Sequence, residues 1–373
     1  MNGLMIALGF GLASWVGLAF NSLVSPGDAQ WRGPIGVGIL FCLIILVLLI
    51  FIPESPRWKI MNGQLDEAWV IIRAIHQNPH TNNQSHHDFA RHEFDQICKQ
   101  IELDKTLDSS WLQMFRKPSY RRRSLLAMTY AFLGESTAML VITNYGSILY
   151  KQLGYNSHDQ IVLEAAYQVV PFVGNLIGSL IVDKIGRRPL MLAGLIGCCT
   201  FVCIETAMVA SFVDGGPKNP AGLRMGVAAL FCFIFCYAVG VDVAGIVFYG
   251  EIFPNHIRAK GLTLAVSCRT LADLIYLESA TSAFANIGWR FFLVFISVMV
   301  VGIIVMYFVL PETRGLPLEE VAALFGDEAE VRSHMSQLNA GVNDEACLTL
   351  KVNGDWVDSQ KPFVCLHLEY AGA

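Results

Sequence analysis

Apolar residues in this chain gather into runs of about twenty, each closed by a short polar segment, rather than into the alternating or half-apolar patterns of a water-soluble core. Crossing about 30 Å of hydrocarbon takes roughly 20 such residues. Runs of that length lie near 4–24, 35–53, 124–150, 161–182, 189–213, 222–249, 261–285 and 290–310, which predicts eight membrane-spanning helices. The first run has no basic start, and its "ALGFGLASWVGLAF" is too long for the apolar core of a signal peptide, so it reads as a span.

Between the runs, Lys and Arg concentrate in 54–122, 183–188, 251–260 and after 310, whereas 25–34, 151–160, 214–221 and 286–289 lack such clusters. Basic loops stay in the cytoplasm, so both chain termini are expected there. Segment 54–122 is the one large loop. Its "GQLDEAWVIIRAIHQ" and "HHDFARHEFDQICKQIELDK" carry apolar residues at helical spacing among charges, predicting amphipathic helices on the cytoplasmic face. From about Gly326 the chain is polar and unpatterned and reads as a tail.

Composition agrees. Hydrophobic residues make up 54 % of the 373, charged residues only 15 %, and the mean hydropathy of +0.48 exceeds what one soluble core needs. A net charge of −5 gives no footprint for nucleic acid. Cys198, Cys199, Cys203, Cys232 and Cys236 sit in apolar runs without metal-ligand spacing, and His80, His86, His87 and His92 offer no ligand geometry, so buried free thiols and no metal are expected. There is no phosphate-binding loop and no recognisable nucleophile context, which excludes ATP drive and enzyme chemistry; no cofactor is expected.

Four cytoplasmic exits have specific wording: "PESPRW" at 53–58, "DKIGRRP" at 183–189, "EIFPNHIRAKG" at 251–261 and "PETRGLPLEE" at 311–320. In their order and spacing they resemble the sugar porter branch of the major facilitator superfamily, over residues 1 to about 320. The resemblance implies an all-α integral membrane protein with a complete carboxy-terminal six-helix bundle, 123–312. It also implies the last two helices of an amino-terminal bundle, 1–53, a cytoplasmic helical linker, 54–122, and a cytoplasmic tail, 313–373. Because "PESPRW" follows the family's sixth span, the family's first four helices are expected to be absent from this chain.

The exits place acids beside bases: Asp183 with Arg187 and Arg188, Glu251 with Arg258, Glu312 with Arg314. Such pairs at helix ends are strengthened by partial desolvation. By resemblance, Glu54, Arg57, Asp183, Arg187, Arg188, Glu251, Arg258, Glu312 and Arg314 form a cytoplasmic gate that closes and releases. A simpler reading treats several of them as topology signals only.

A carrier of this kind binds solute near mid-membrane, where broken helices supply polar groups. "YAFLGESTAMLVITNYGSILY" brings Glu135, Thr137, Asn144 and Tyr145 to that depth, with Gly134 and Gly146 as kink points. Where family members carry amides that grip sugar hydroxyls, this chain has Gly134, Glu135 and Leu140. "YAVGVDVAGIVFYGEIF" contributes Asp242 and lacks the family's Pro and Trp. "LTLAVSCRTLADLIYLESATSAF" contributes Arg269 and Asp273 on one face, with Tyr276 and Glu278 near. Glu135 or Asp242 is the candidate carrier of a coupling proton, set against a bland alternative in which Arg269 and Asp273 neutralise each other. Glu164, Asn175 and Glu205 are weaker candidates; Asn175, beside Gly174 and Gly178, reads first as helix packing.

The expected function is secondary active transport of a small polar solute, a sugar or sugar-like molecule, by alternating access in the plasma membrane. A non-transporting fragment and a transporter-like solute sensor are the alternatives. The partners are that solute and the lipid bilayer, with no nucleic acid.

Overall fold

The computed structural model describes residues 2–22, 28–76, 84–107, 110–152, 154–212, 220–315 and 324–326. Among these residues every regular element is helical. Met1–Val321 form one compact unit. His80 and most of the polar tail lie outside the described residues, and the side chains of His86 and His87 are likewise not described.

Helices α1 (Asn2–Asn21) and α2 (Ala29–Leu49) form an antiparallel pair. α1 packs on the helices Ser157–Tyr167 and Val170–Ile185, whereas α2 packs on α1 and buries none of its residues. Its Leu and Ile side chains all face outward, a surface that only an apolar medium tolerates.

The loop from 54 onward builds α3 (Pro56–Met61), α4 (Leu65–His76), α5 (Gln84–Thr106) and α6 (Trp111–Arg116). The amphipathic spacing seen in the sequence closes a small core of its own: Ile60, Ala68, Ile72, Ala90, Phe94 and Ile101 pack together with Trp69 against Phe94. These helices therefore bury their apolar faces against one another. Lys59 to Glu67 and His76 to Glu93 tie the group on its polar side.

The remaining helices are α7 (Pro118–Glu135), α8 (Met139–Gln152), α9 (Ser157–Tyr167), α10 (Val170–Ile185), α11 (Arg187–Phe212), α12 (Pro220–Cys236), α13 (Val243–Ile252), α14 (Asn255–Asn286) and α15 (Phe291–Val309). Three crossings are interrupted. α7 and α8 are separated at Ser136–Ala138, α9 and α10 at Gln168–Val169 just before Pro171, and α12 and α13 by a π turn, Tyr237–Asp242. Among the described residues, with each interrupted crossing counted once, seven segments are long and apolar enough to cross a membrane. The eighth expected span, α14, has 32 residues of helix; Arg258, Lys260, Arg269, Asp273 and Glu278 dilute its apolarity.

Two sequence expectations change here. The kink in the third crossing falls at Ala138, with φ of 70°, while Gly134 and Gly146 sit in regular helix. The break follows from local hydrogen bonding: Ser136 and Thr137 hydroxyls donate to the carbonyls of Phe132 and Gly134, at 2.7 Å each, and compete with the helix ladder. Of the clustered cysteines, Cys198 is buried, whereas Cys203 and Cys232 are exposed on the helix surface.

Small residues let α11 meet the π turn. A Cβ built on Gly240 would stand 2.5 Å from the Cα of Gly194, and one on Gly194 would stand 2.8 Å from the Cα of Gly240. Backbones that approach so closely associate without a hydrophobic drive. Gly240→Leu should therefore lower the thermal unfolding midpoint of the purified protein, with an overpacking cost of about 1–3 kcal/mol. Gly250→Leu, which meets open space, should leave it unchanged.

Candidate substrate and coupling site

The broken end of α7 places Glu135 inside the bundle with its side chain only 2 % exposed. Its Oε1 lies 2.5 Å from Nε of Arg269 on α14. Asp273, one turn beyond Arg269, stands beside Glu135 and keeps Oδ1 buried without a partner. Asp242 ends the π turn within electrostatic reach of the same guanidinium. One arginine thus faces three carboxyl groups contributed by α7, the π turn and α14.

Tyrosines frame this centre. The hydroxyl of Tyr130 donates to the carbonyl of Val241 in the π turn at 2.8 Å, and its ring fills the space beside Gly245. Tyr276 shares a 2.9 Å hydrogen bond with Ser136 at the α7 break. A pocket of about 20 Å³, lined in part by Glu135, Asp242, Arg269, Tyr130, Tyr237 and Tyr249, has room for about one water molecule.

On the far side of Asp242 a cleft of about 300 Å³ opens between α1, α10 and α13, lined in part by Gly3, Asn175, Ser179 and Val243. Asn175 donates to the carbonyl of Gly3 at 3.2 Å and also hydrogen-bonds Asp242. A Cβ on Gly3 would stand 3.2 Å from an oxygen of Asp242. Asn175 therefore ties α1 to the acid of the π turn, a link that its reading as a packing residue did not contain.

The structure brings together Glu135, Asp242, Arg269 and Asp273, gives the Thr137 hydroxyl to the carbonyl of Gly134, and leaves two candidates apart. Asn144 is exposed and donates to Leu140 of its own helix; Tyr145 donates to the carbonyl of Leu277 beside Phe284. Tyr130, Tyr237 and Ser136 were not singled out in the sequence, because aromatic and hydroxyl residues in apolar runs carry no signal of direction. Among the described residues no group of three or more His, Cys, Asp or Glu could hold a metal.

The Arg-rich ends of α10, α11, α13 and α15 form a second polar centre. Glu312 accepts from the backbone N–H groups of Arg187 and Arg188, at 3.0 and 3.1 Å, and so caps the amino end of α11. It also accepts from the N–H groups of Thr313 and Arg314. Gly186, with φ of 105°, lets that carboxylate close: a Cβ there would stand 2.8 Å from Glu312 Oε2. Arg187 binds Asp183 at 2.9 Å and Glu251 at 2.7 Å, Thr313 donates to Glu251 at 2.7 Å, and Arg188 donates to the carbonyl of Tyr307.

The pairing differs from the sequence expectation. Glu251 takes Arg187 rather than Arg258, since the amino end of α11 abuts α13. Glu312 binds backbone N–H groups, including that of Arg314, as a cap. Arg258 donates to the carbonyl of Phe253, and burial, then the charge of Arg57, hold its guanidinium below the usual value, with Asp104 opposing. Glu54 is exposed and accepts from the adjacent Ser55 N–H.

The family model described as "Sugar (and other) transporter" matches residues 1–325. The MFS-type transporter criB of Aspergillus cristatus is 28 % identical over 350 residues, which are 90 % of this chain and 69 % of that one. The low-affinity glucose transporter HXT3 of Saccharomyces cerevisiae is 28 % identical, over 87 % of this chain and 57 % of its own length. The probable polyol transporter 6 of Arabidopsis thaliana is 27 % identical, over 86 % and 67 %. These relatives are transporters, not enzymes.

Among solved structures, the proton:xylose symporter XylE bound to 6-bromo-6-deoxy-D-glucose matches with a TM-score of 0.70 and 21 % identity, over 87 % of this chain and 66 % of that one. The inward-open form of XylE from E. coli matches with a TM-score of 0.61 and 20 % identity, over 87 % and 64 %. That likeness shows a major facilitator fold. The chain spans between about half and two thirds of the length of most of the relatives it matches.

Removing one partner of a buried ion pair leaves an uncompensated charge and costs about 3–5 kcal/mol. Arg269→Gln should accordingly lower the unfolding midpoint, and the Arg269→Gln/Glu135→Gln double variant should recover only part of the loss, since Asp242 and Asp273 lose the same guanidinium. At the other centre, Glu312→Ala should destabilise by about 1–3 kcal/mol by stripping the cap from α11, while Glu54→Ala should leave the midpoint within error. Calorimetry in detergent measures both.

Proposed function

Because the chain belongs to the sugar (and other) transporter family, an integral membrane family, we propose that it moves a small polar solute, a sugar or sugar-like molecule, by alternating access and in step with protons. The observation that carries this reading is the Glu135–Arg269 pair at the break of α7, facing Asp242 in a π turn. Polar groups at interrupted helices near mid-membrane are where carriers hold solute and coupling ion.

The chemistry follows from charge. One guanidinium cannot balance three carboxylates in apolar surroundings, so each proton entering the cluster offsets part of the excess. Glu135 or Asp242 takes that proton, and Arg269 shifts between carboxyl groups as it arrives and leaves. Solute hydroxyls meet the remaining carboxylate oxygens, the hydroxyl of Thr137 and the lining tyrosines. The acid at 135 favours donors such as hydroxyls over the amide pattern of hexose porters.

Alternating access needs the two bundles to move against each other, and Asn175 spans α1 and α10 beside Asp242. Separation of α1 from α10 would release Asn175 from Gly3 and change what Asp242 can bind. In this reading 1–53 belongs to one bundle and 123–312 to the other, with 54–122 as a cytoplasmic linker and 313–373 as a tail. The Arg187–Glu251–Glu312 network fixes the cytoplasmic ends of the second bundle as a gate unit, with the plasma membrane as its location and both termini inside.

Uptake by proteoliposomes of labelled D-glucose, D-xylose and D-sorbitol, with the outside made acid, tests the proposal. At least one solute should accumulate above its external concentration. Glu135→Gln should lose accumulation by tenfold or more while still exchanging labelled for unlabelled solute. Failure of all three solutes to enter, or undiminished accumulation in Glu135→Gln, overturns it.

A further inference from the structure

In the half of the bundle away from the Arg187–Glu312 network, α8, α9 and α11 enclose a second polar cluster that the central site does not use. Glu205 on α11 is 1 % exposed, and neither of its carboxylate oxygens has a partner. The hydroxyl of Tyr167, also 1 % exposed, lies beside that of Thr143, and Oε2 of Glu164 is buried without a partner.

These atoms share one neighbourhood. The Glu164 carboxylate occupies the place where a side chain on Gly146 would start, and the Tyr150 ring lies 3.6 Å from that point. Tyr150 is within electrostatic reach of both Glu164 and Glu205, and Tyr167 within reach of Tyr150 and Glu164. Gln168 donates to the other oxygen of Glu164 at 3.1 Å.

The ionisable groups facing the cluster are Tyr150 from α8, Tyr155 from the turn after it, Tyr167 from α9 and Cys198 from α11. α1, packed on α9, carries no ionisable side chain. On α12, packed on α11, Arg224 is exposed and is not among the groups acting on Glu205. Arg290, in the turn Gly288–Arg290 that also packs on α11, is likewise exposed, so among the described residues neither acid has a cation to answer it, unlike Glu135.

An unpartnered carboxylate in apolar surroundings costs several kcal/mol, and a proton removes that cost while adding a donor. A protonated Glu205 can donate to a neighbouring phenol oxygen, and a protonated Glu164 can do the same while keeping the bond from Gln168. Without protons, two like charges share a dry space and the cluster has to take in water. α8 is the wall free to yield, since Ser136–Ala138 disconnects it from α7.

We propose that Glu164 and Glu205 form a second proton-binding site, separate from the Glu135–Asp242 cluster, whose protons hold α8 against α9 and α11. Glu164, half-buried, is the entrance, and Glu205 is the enclosed end.

Hydrogen–deuterium exchange of the full chain in lipid nanodiscs tests this without any transported solute, so its outcome does not hinge on the transport reading. Corrected for intrinsic exchange, protection of Met139–Gln152 should fall by about tenfold between about pH 6 and pH 9. Glu164→Gln/Glu205→Gln should stay protected throughout, and Glu135→Gln should retain the pH response. Should the double variant not fold, Glu205→Gln alone should show less than half of the native loss. Protection that is independent of pH in the native chain, that falls equally in Glu205→Gln, or that follows sodium concentration rather than pH overturns the proposal.

Discussion

An arginine inside an apolar bundle is tolerated only if carboxylates come to it, and Arg269 sets that condition for this fold. Three elements must converge to meet it: the end of α7 with Glu135, the π turn with Asp242, and the next turn of α14 with Asp273. Two of the three carry irregular backbone at the meeting point. A straight α7 or a regular α12–α13 would direct the same side chains elsewhere, because one residue of register turns a helix by about 100°. The interruptions are the means by which polar groups are aimed inward while the helix exteriors stay apolar.

The two polar centres of the bundle divide the work. At the Arg-rich end, nearly every group of the network is satisfied: Glu312 caps α11, Arg187 spans Asp183 and Glu251, and Thr313 closes the set. Such a network fixes helix ends. In mid-bundle the accounts stay open, with one oxygen of Glu135 and one of Asp273 unpaired. Groups left unsatisfied in a buried site are costly, and they are also what a proton or a solute hydroxyl can bind. The contrast is between a satisfied network and an open one.

Much of the fold was legible in the sequence because membrane helices obey a strong constraint of length and apolarity, and the basic exits give their order. The span in α14 was read from its length despite Arg269, Asp273 and Glu278. Legibility failed where a choice depended on neighbours. Gly134 and Gly146 look like kink points, but Ser136 and Thr137 break the helix by bonding to the backbone behind them. Glu251 was paired with Arg258, its neighbour in sequence, whereas the packing of α11 against α13 gives it Arg187. For the candidate site, the acids and Arg269 were visible as charges out of place; their tyrosine frame was not, since Tyr130 and Tyr237 read as ordinary apolar filling. Asn175 was seen as packing, and the helix it packs against turned out to bring Asp242 along.

The account rests on a proton moving with solute through the Glu135–Arg269 cluster. Proteoliposomes loaded with a pH-sensitive dye, given an inward gradient of D-glucose, D-xylose or D-sorbitol and no initial pH difference, measure this directly. With coupling through this cluster, a transported solute acidifies the lumen and Glu135→Gln carries the solute down its gradient without acidification. Solute entry at constant internal pH in the native protein, or acidification that survives in Glu135→Gln, would contradict it.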